Sequence, residues 1–314
     1  MGATGLLLLD TASLYHRAFF GVPDTIRSPD GIAVNAVRGL LDMTARLIVS
    51  RRPRRIVACW DDDWRPAFRV AAIPSYKAHR LVAGSANTED TPVGLLPQIP
   101  VIVEVLAALG IARVGAPGFE ADDVIGTLVA RERARPAPER AAVEIVTGDR
   151  DLFQLVDDGA GVRVLYPGRG IAGLDVVDQA RLRERYGVPT GQAYADMAVL
   201  RGDPSDGLPG VRGIGEKTAV ALLARYGDLA GVLAARDAGD RALTATQRAR
   251  LLEAADYLAA APGVVRVAPD APLGAFDDAV PTTPADPDAL VTLAKRWGLE
   301  SAVTRIVRAM SDAG

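Results

Sequence analysis

The chain has 314 residues, 49% of them hydrophobic and 24% charged, the balance of a globular protein with room for one large domain or two modest ones. No apolar run approaches the ~20 residues of a membrane span, and Met1 to Asp10 reads as a buried strand rather than a signal peptide. The single cysteine, Cys59, rules out disulfides and cysteine-built zinc clusters and fits a cytoplasmic setting, while a net charge of −3 is only a weak guide to partners because acids reserved for a metal would mask a basic face.

Thr4 to Leu9 predicts a fully buried strand, closed by Asp10, and is followed by helices over Ala12 to Phe20 and Asn35 to Ile48 with apolar spacing near 3.6. Between Arg46 and Arg80 the basic residues Arg51, Arg52, Arg54, Arg55, Arg65, Arg69 and Lys77 gather, and within that stretch Arg55 to Trp60 is a second strand closed by Asp61. A helix over Pro100 to Leu109 stops at Gly110; strands over Ile111 to Val114, Ala142 to Val146 and Val162 to Tyr166 surround a helix over Ala121 to Arg133 whose acids suit its N-terminus. Alternating strands and helices imply an α/β fold with a mostly parallel central sheet flanked by helices, and ligands at the carboxyl ends of its strands. After about Leu174 the pattern turns helical, with Gly and Pro crowded between Gly202 and Gly215. Pro269 to Pro287 reads as a surface connection and Asp288 to Met310 as one or two closing helices.

Nine carboxylates sit where strands end or helices begin: Asp10, Asp61, Glu120, Asp122, Asp123, Asp149, Asp151, Asp203 and Asp206. Two carboxylates about 4 Å apart repel by roughly 4 kcal/mol at an effective dielectric near 20, so a fold that gathers several must disperse them into water or offset them with cations. Hard oxygen donors of this kind describe a magnesium site. Taken alone, Glu120 to Asp123 also reads as acidic capping of a helix, and Asp149-Arg150-Asp151 and Asp203-Pro204-Ser205-Asp206 also read as turns. Gly213-Ile214-Gly215 running into a helix is more specific: its backbone N–H groups, with Lys217 and Thr218, suit the phosphates of a duplex and carry no base information. Tyr76, Lys77 and Arg80 fit neighbouring turns of one helix, an aromatic beside cations as a frayed nucleic-acid end requires, though taken alone they read equally as an amphipathic surface helix. Lys77 and Lys217 are two of only three lysines among 36 basic residues. His16 and His79 have no partners that make a nucleophilic triad.

In order along the chain, these motifs are Leu9-Asp10 with Arg17, Phe68-Arg69 with Tyr76-Lys77 and Arg80, Gly118 to Asp123, Gly148 to Leu152, Gly202-Asp203 with Ser205-Asp206, and Leu208 to Thr218. Together they resemble the bacterial 5′ nucleases of the flap endonuclease superfamily, above all the 5′→3′ exonuclease domain of DNA polymerase I, over Leu6 to about Tyr257. The resemblance implies a PIN-like 5′-nuclease core over 1–180 with a helical arch at about 74–98, a helix-hairpin-helix-type DNA-binding module over 181–275, and a segment over 276–314 that packs back on the core. It implies two magnesium ions, replaceable by manganese: Asp10, Asp61, Glu120 and Asp122 for the first with Asp123 close by, and Asp149, Asp151, Asp203 and Asp206 for the second. Lys77 and Arg80 would meet the scissile phosphate and Arg17 and Arg69 its neighbours, while Gly213, Gly215, Lys217 and Thr218 would hold the duplex, with a potassium ion at the hairpin.

The implied activity is hydrolysis at 5′ ends, nicks or flaps of DNA or at RNA primer–DNA hybrids, by a monomer serving repair and replication. The chain ends where a polymerase would begin in that family, which implies a free-standing nuclease. A PIN-type ribonuclease would lack the hairpin and be shorter, and a non-catalytic flap or junction binder would have lost acids. Two departures from the family pattern stand out. The run Asp61-Asp62-Asp63 replaces a single acid, leaving the ligand open between Asp61, at the strand end, and Asp62, by the count back from Phe68. Gly207 replaces a usual Asn, a change expected to loosen the Asp206 turn.

Overall fold

The computed structural model describes residues 5–313. Its first half alternates β1 (Leu6–Asp10), α1 (Thr11–Gly21), α2 (Asn35–Arg51), β2 (Arg55–Cys59), the short α3 (Ala67–Ala72), α4 (Gln98–Leu109), β3 (Ala112–Val114), α5 (Ala121–Arg133), β4 (Val143–Val146), β5 (Val162–Tyr166) and β6 (Asp175–Val177). The second half is helical: α6 (Gln179–Tyr186), α7 (Gly191–Arg201), α8 (Glu216–Tyr226), α9 (Leu229–Asp237), α10 (Ala245–Glu253), α11 (Ala255–Val265), α12 (Pro287–Trp297) and α13 (Glu300–Ser311). Among the described residues no single helix is long and apolar enough to cross a membrane.

The six strands lie in the order β3-β2-β1-β4-β5-β6, parallel except where β6 runs against β5. The α/β expectation holds, and β6 is an addition to it. β1 shows why the sheet is sandwiched: with side chains alternating across the pleat, Leu6 and Leu8 enter one core and Leu7 and Leu9 the other. The second core is covered by α2, α4, α12 and α13. The first takes in α5 and continues without a break into α7, α8, α9 and α11. Cys59, on β2, is fully buried in that core, and burial pushes its thiol well above the ordinary range.

The stretch after α11 is more than a surface connection. The Ala268 N–H donates to Asp123 at 2.8 Å and the Ala271 N–H to Thr127 Oγ1 at 2.9 Å, which lays the chain along α5. It then reaches the start of β2, where Asp278 pairs with Arg55 at 2.7 Å while Arg55 also holds Glu132 of α5 at 2.7 Å.

Candidate active site

After β3 the chain crosses back past β1 to start β4, so the crevice between the carboxyl ends of β1 and β4 is a topological switch point, the place where open α/β sheets bind ligands. Asp10 closes β1 there. Its Oδ1 accepts the Ser13 N–H at 3.1 Å, capping α1, and its Oδ2 accepts the Thr147 hydroxyl at 2.6 Å across the crevice. Thr147 Oγ1 in turn accepts the Asp149 N–H at 2.8 Å, so one threonine fixes the acids at the ends of both strands. Thr147 carries a signal legible in the sequence, a hydroxyl directly after a strand and before Gly-Asp. Asp61 follows β2, and its Oδ1 accepts the Ala121 N–H at 2.7 Å at the start of α5.

These strand ends border a cavity of about 1110 Å³. Seven of the nine acids read from the sequence line it: Asp10, Asp61, Glu120, Asp122, Asp149, Asp151 and Asp203. Asp62 lines it too, but as an exposed residue 3.7 Å from Arg113, whereas Asp61 turns toward α5. Asp206 stands beside the cavity, bonded to Arg80 at 3.0 Å. Glu89, absent from the sequence reading, adds a further acid. Burial pushes the Asp10 carboxyl up to about 7, with Asp61 and Asp149 adding repulsion against the lowering effect of Thr147. Burial also lifts Glu120 to about 7 despite Lys77 and Arg69, and raises Asp122, Asp149 and Asp151, each further lifted by neighbouring carboxylates. The cavity therefore gathers more buried carboxyls than its own cations keep ionised.

That donor set fits a hard divalent cation: several carboxylate oxygens, largely buried, whose charged forms are disfavoured until a cation arrives. Among the described residues no three such side chains already stand close enough to hold an ion.

Three assignments change, and Arg17 stands apart from the cavity. Asp123 is fully buried and does not line the cavity; it accepts both guanidinium nitrogens of Arg69, at 2.8 and 2.6 Å, and the N–H groups of Glu120 and Ala268. With every lone pair directed at a protein donor, it is a helix cap and half of a buried ion pair rather than a metal ligand. Arg69, 2% exposed, is the other half and also donates to the Val264 carbonyl, so it has no nitrogen for a phosphate. Tyr76 is buried, and its hydroxyl donates to Glu120 at 2.9 Å instead of offering a stacking face. Arg17 lies half-buried on α1, outside the cavity lining.

The arch differs as well. Over 74–97, up to the start of α4, the only regular element is a three-residue 3-10 turn, Ala78–Arg80, with an isolated bridge between Leu81 and Glu89. Tyr76, Lys77 and Arg80 do not share a helix, because Lys77 sits in the left-handed region at φ +48°. The loop is held from two sides. Arg65, buried and unassigned by the sequence reading, donates to the carbonyls of Tyr76 at 2.7 Å and Pro74 at 3.0 Å. On the other side the Lys77 N–H donates to the Asp206 carbonyl at 2.9 Å, and Arg80 Nη2 to the Ser205 carbonyl at 2.9 Å. The Lys77 ammonium points inward to Glu120 at 3.0 Å. Two cations thus reach the acids from one wall.

Asp203 and Asp206 ride on a closed turn, in which Asp203 and Leu208 exchange backbone hydrogen bonds of 3.0 and 2.8 Å. A few residues on, Val211 and Ile214 bury their side chains and leave the backbone between them outward. Gly213 has φ +77° with open space where a side chain would stand, and Gly215 precedes the first turn of α8. Lys217 is exposed and Thr218 half-buried at that helix start.

Residues 5–187 match the model of the 5′-3′ exonuclease N-terminal resolvase-like domain, and residues 189–288 that of the 5′-3′ exonuclease C-terminal SAM fold. The chain belongs to the 5′-3′ exonuclease family. It is 58% identical to a 5′-3′ exonuclease of Streptomyces coelicolor over 308 residues, 97% of this chain and 100% of that protein. It is 43% identical to DNA polymerase I of Mycobacterium bovis over 225 residues, 71% of this chain and 23% of that protein. In fold it is similar to the bacteriophage T5 flap endonuclease in a complex with DNA and metal ions, with a TM-score of 0.65 at 14% identity and 98% of each chain covered. Membership of the 5′-3′ exonuclease family makes the chain a phosphodiester hydrolase, and the acid-lined crevice is where its geometry supports that chemistry.

Proposed function

We propose that the chain hydrolyses phosphodiesters at the 5′ ends or flaps of DNA with two magnesium ions held in the acid-lined crevice, manganese being able to replace them. The observation that carries this reading is the convergence of seven acids from separate strand ends and turns on a cavity walled on one side by Lys77 and Arg80. Asp10, Asp61, Glu120 and Asp122 hold one ion; Asp149, Asp151, Asp203 and Asp206 hold the other; Asp61 rather than Asp62 serves because it faces inward from the end of β2. The ions, when bound, activate water and neutralise charge on the attacking and leaving oxygens.

The chain's own residues do the rest. Lys77 and Arg80 supply preorganised positive charge to the phosphate where it grows more negative. The hairpin around Gly213 and Gly215, with Lys217 and Thr218, holds duplex backbone and takes a potassium ion on its carbonyls. Residues 1–180 form the catalytic unit, 181–275 the duplex-binding module and 276–314 the closing segment of a monomer acting in replication and repair.

Incubation with end-labelled 5′-flap, nicked, blunt and RNA-primed duplexes, with and without magnesium, tests the reading. Magnesium-dependent release of 5′ fragments is expected; cleavage that persists in chelator would overturn it.

A further inference from the structure

The loop carrying Lys77 and the turn carrying Asp206 are about 130 residues apart in sequence, as the Arg80–Asp206 pair shows with a separation of 126. They are nevertheless fitted together through main chain. Ser75 Oγ donates to the Gly207 carbonyl at 2.7 Å, and the Lys77 N–H donates to the Asp206 carbonyl at 2.9 Å. Gly207 has φ +71°, and a Cβ built on it would stand 2.2 Å from the Ser75 carbonyl oxygen. That oxygen belongs to backbone already pinned from behind by Arg65, so it cannot swing aside as a long side chain would. The expected loosening at Gly207 is therefore reversed: the missing side chain is what lets the two segments close.

We infer that Ser75 and Gly207 are positioning residues, a latch that sets Lys77 and Arg80 in register with the Asp203–Asp206 turn and, through it, with the hairpin that grips the duplex. The turn is stiff, closed by the paired hydrogen bonds of Asp203 and Leu208, and it leads into Val211, whose N–H donates to the Leu200 carbonyl of α7 at 2.9 Å. A duplex seated on the hairpin is thus referenced to the turn, and the turn to the cationic loop, with few rotatable bonds between. Register of this kind matters because a displacement of about 1 Å at a reacting centre can cost about 100-fold in rate.

The inference rests on the roles given above to Lys77, Arg80 and the second acid set. Its test separates the two. Single-turnover cleavage of a 5′-flap duplex is measured across magnesium concentrations, and duplex affinity is measured by anisotropy in chelator, for Gly207→Ala, Ser75→Ala and Ser75→Thr. Gly207→Ala is expected to lower the rate by about 10- to 100-fold and raise the magnesium needed for half-maximal rate, with duplex affinity within about twofold. Ser75→Ala, a milder lesion that removes one hydrogen bond, is expected to lose about three- to tenfold in rate, and Ser75→Thr, which keeps the hydroxyl, to restore it. A folded Gly207→Ala or Ser75→Ala protein with wild-type rate and magnesium dependence overturns the latch, as does a parallel loss of rate and affinity. Lys77→Ala retaining full rate would instead sink the assignment on which the latch depends.

Discussion

The Lys77 ammonium lies 3.0 Å from Glu120 Oε1, an oxygen that also accepts the Tyr76 hydroxyl, while Arg69 stands 3.3 Å from Oε2 of the same carboxylate. A buried acid shared by three donors is stable as it stands, and although burial disfavours the Lys77 ammonium, Glu120 and the other acids around it outweigh that and hold it charged, well above its ordinary range. For Glu120 to turn an oxygen to a cation, Lys77 must let go, and the ammonium that is released faces the cavity. Loss of Lys77 should therefore act on chemistry more than on folding, because Tyr76 and Arg69 remain to satisfy Glu120. Lys77→Ala is expected to lower single-turnover cleavage by about 100- to 1,000-fold, the usual cost of removing one charge-stabilising donor. Its melting temperature should move by only a few degrees.

Asp149→Asn is expected to abolish cleavage while leaving duplex affinity close to wild type. The side chain changes little in size, its oxygen can still accept the Asp151 N–H, the Asp149 N–H still donates to Thr147 Oγ1, and the hairpin is untouched. Anisotropy binding alongside flap cleavage checks both halves; retained cleavage removes Asp149 from the ligand set.

Arg69→Ala is expected to destabilise the protein by about 3–5 kcal/mol, because it strands Asp123 without its charge partner inside the fold. Urea unfolding reads this directly. A variant as stable as the parent but weak in DNA binding would return Arg69 to the DNA interface.

The raised carboxyls make stability depend on pH in a stated direction. Asp10 and Glu120 titrate at about 7 in the folded chain and near 4 when unfolded. Between those limits the folded state holds protons that the unfolded state has released, so without divalent ions stability contributed by these groups falls as pH rises from about 4 to 7. A cation that binds only the folded state reverses the loss, and does so more where the ligands have lost their protons. Thermal melts at pH 5.5 and 8.0 should show a larger upward shift with magnesium at the higher pH. An equal or smaller shift there would contradict the site.

Lys217→Ala is expected to weaken binding to duplexes of any sequence alike and to flatten the dependence of log affinity on log salt by about 0.9, the signature of one lost phosphate contact. Salt titrations on two unrelated duplexes measure it.

Much of the frame was legible because its signals are local. The buried run of β1, the strand over Val162–Tyr166 and the helix over Ala121–Arg133 are set by apolar pattern and by the residues that stop them. β6 escaped notice because three residues, Asp175–Val177, become a strand only by pairing with β5. The acids were legible as strand-end punctuation, but which of them face the cavity was not. Asp123 and Arg69 are 54 residues apart, and nothing local to either announces that they consume each other. The helix expected across Tyr76 to Arg80 failed for a similar reason: Lys77 takes its left-handed backbone because Arg65 and Asp206 hold the loop at both sides.

Cys59 offers a practical consequence. The thiol is fully enclosed and its reactive thiolate form suppressed, so reagents that modify cysteine should pass the native protein by. Ala86, exposed beside the cavity-lining Asn87, and the exposed Arg212 of the hairpin can each be replaced by cysteine and labelled without first removing the native one. A dye pair at those two positions turns the protein into its own ruler, reporting the separation of loop and hairpin as a duplex arrives.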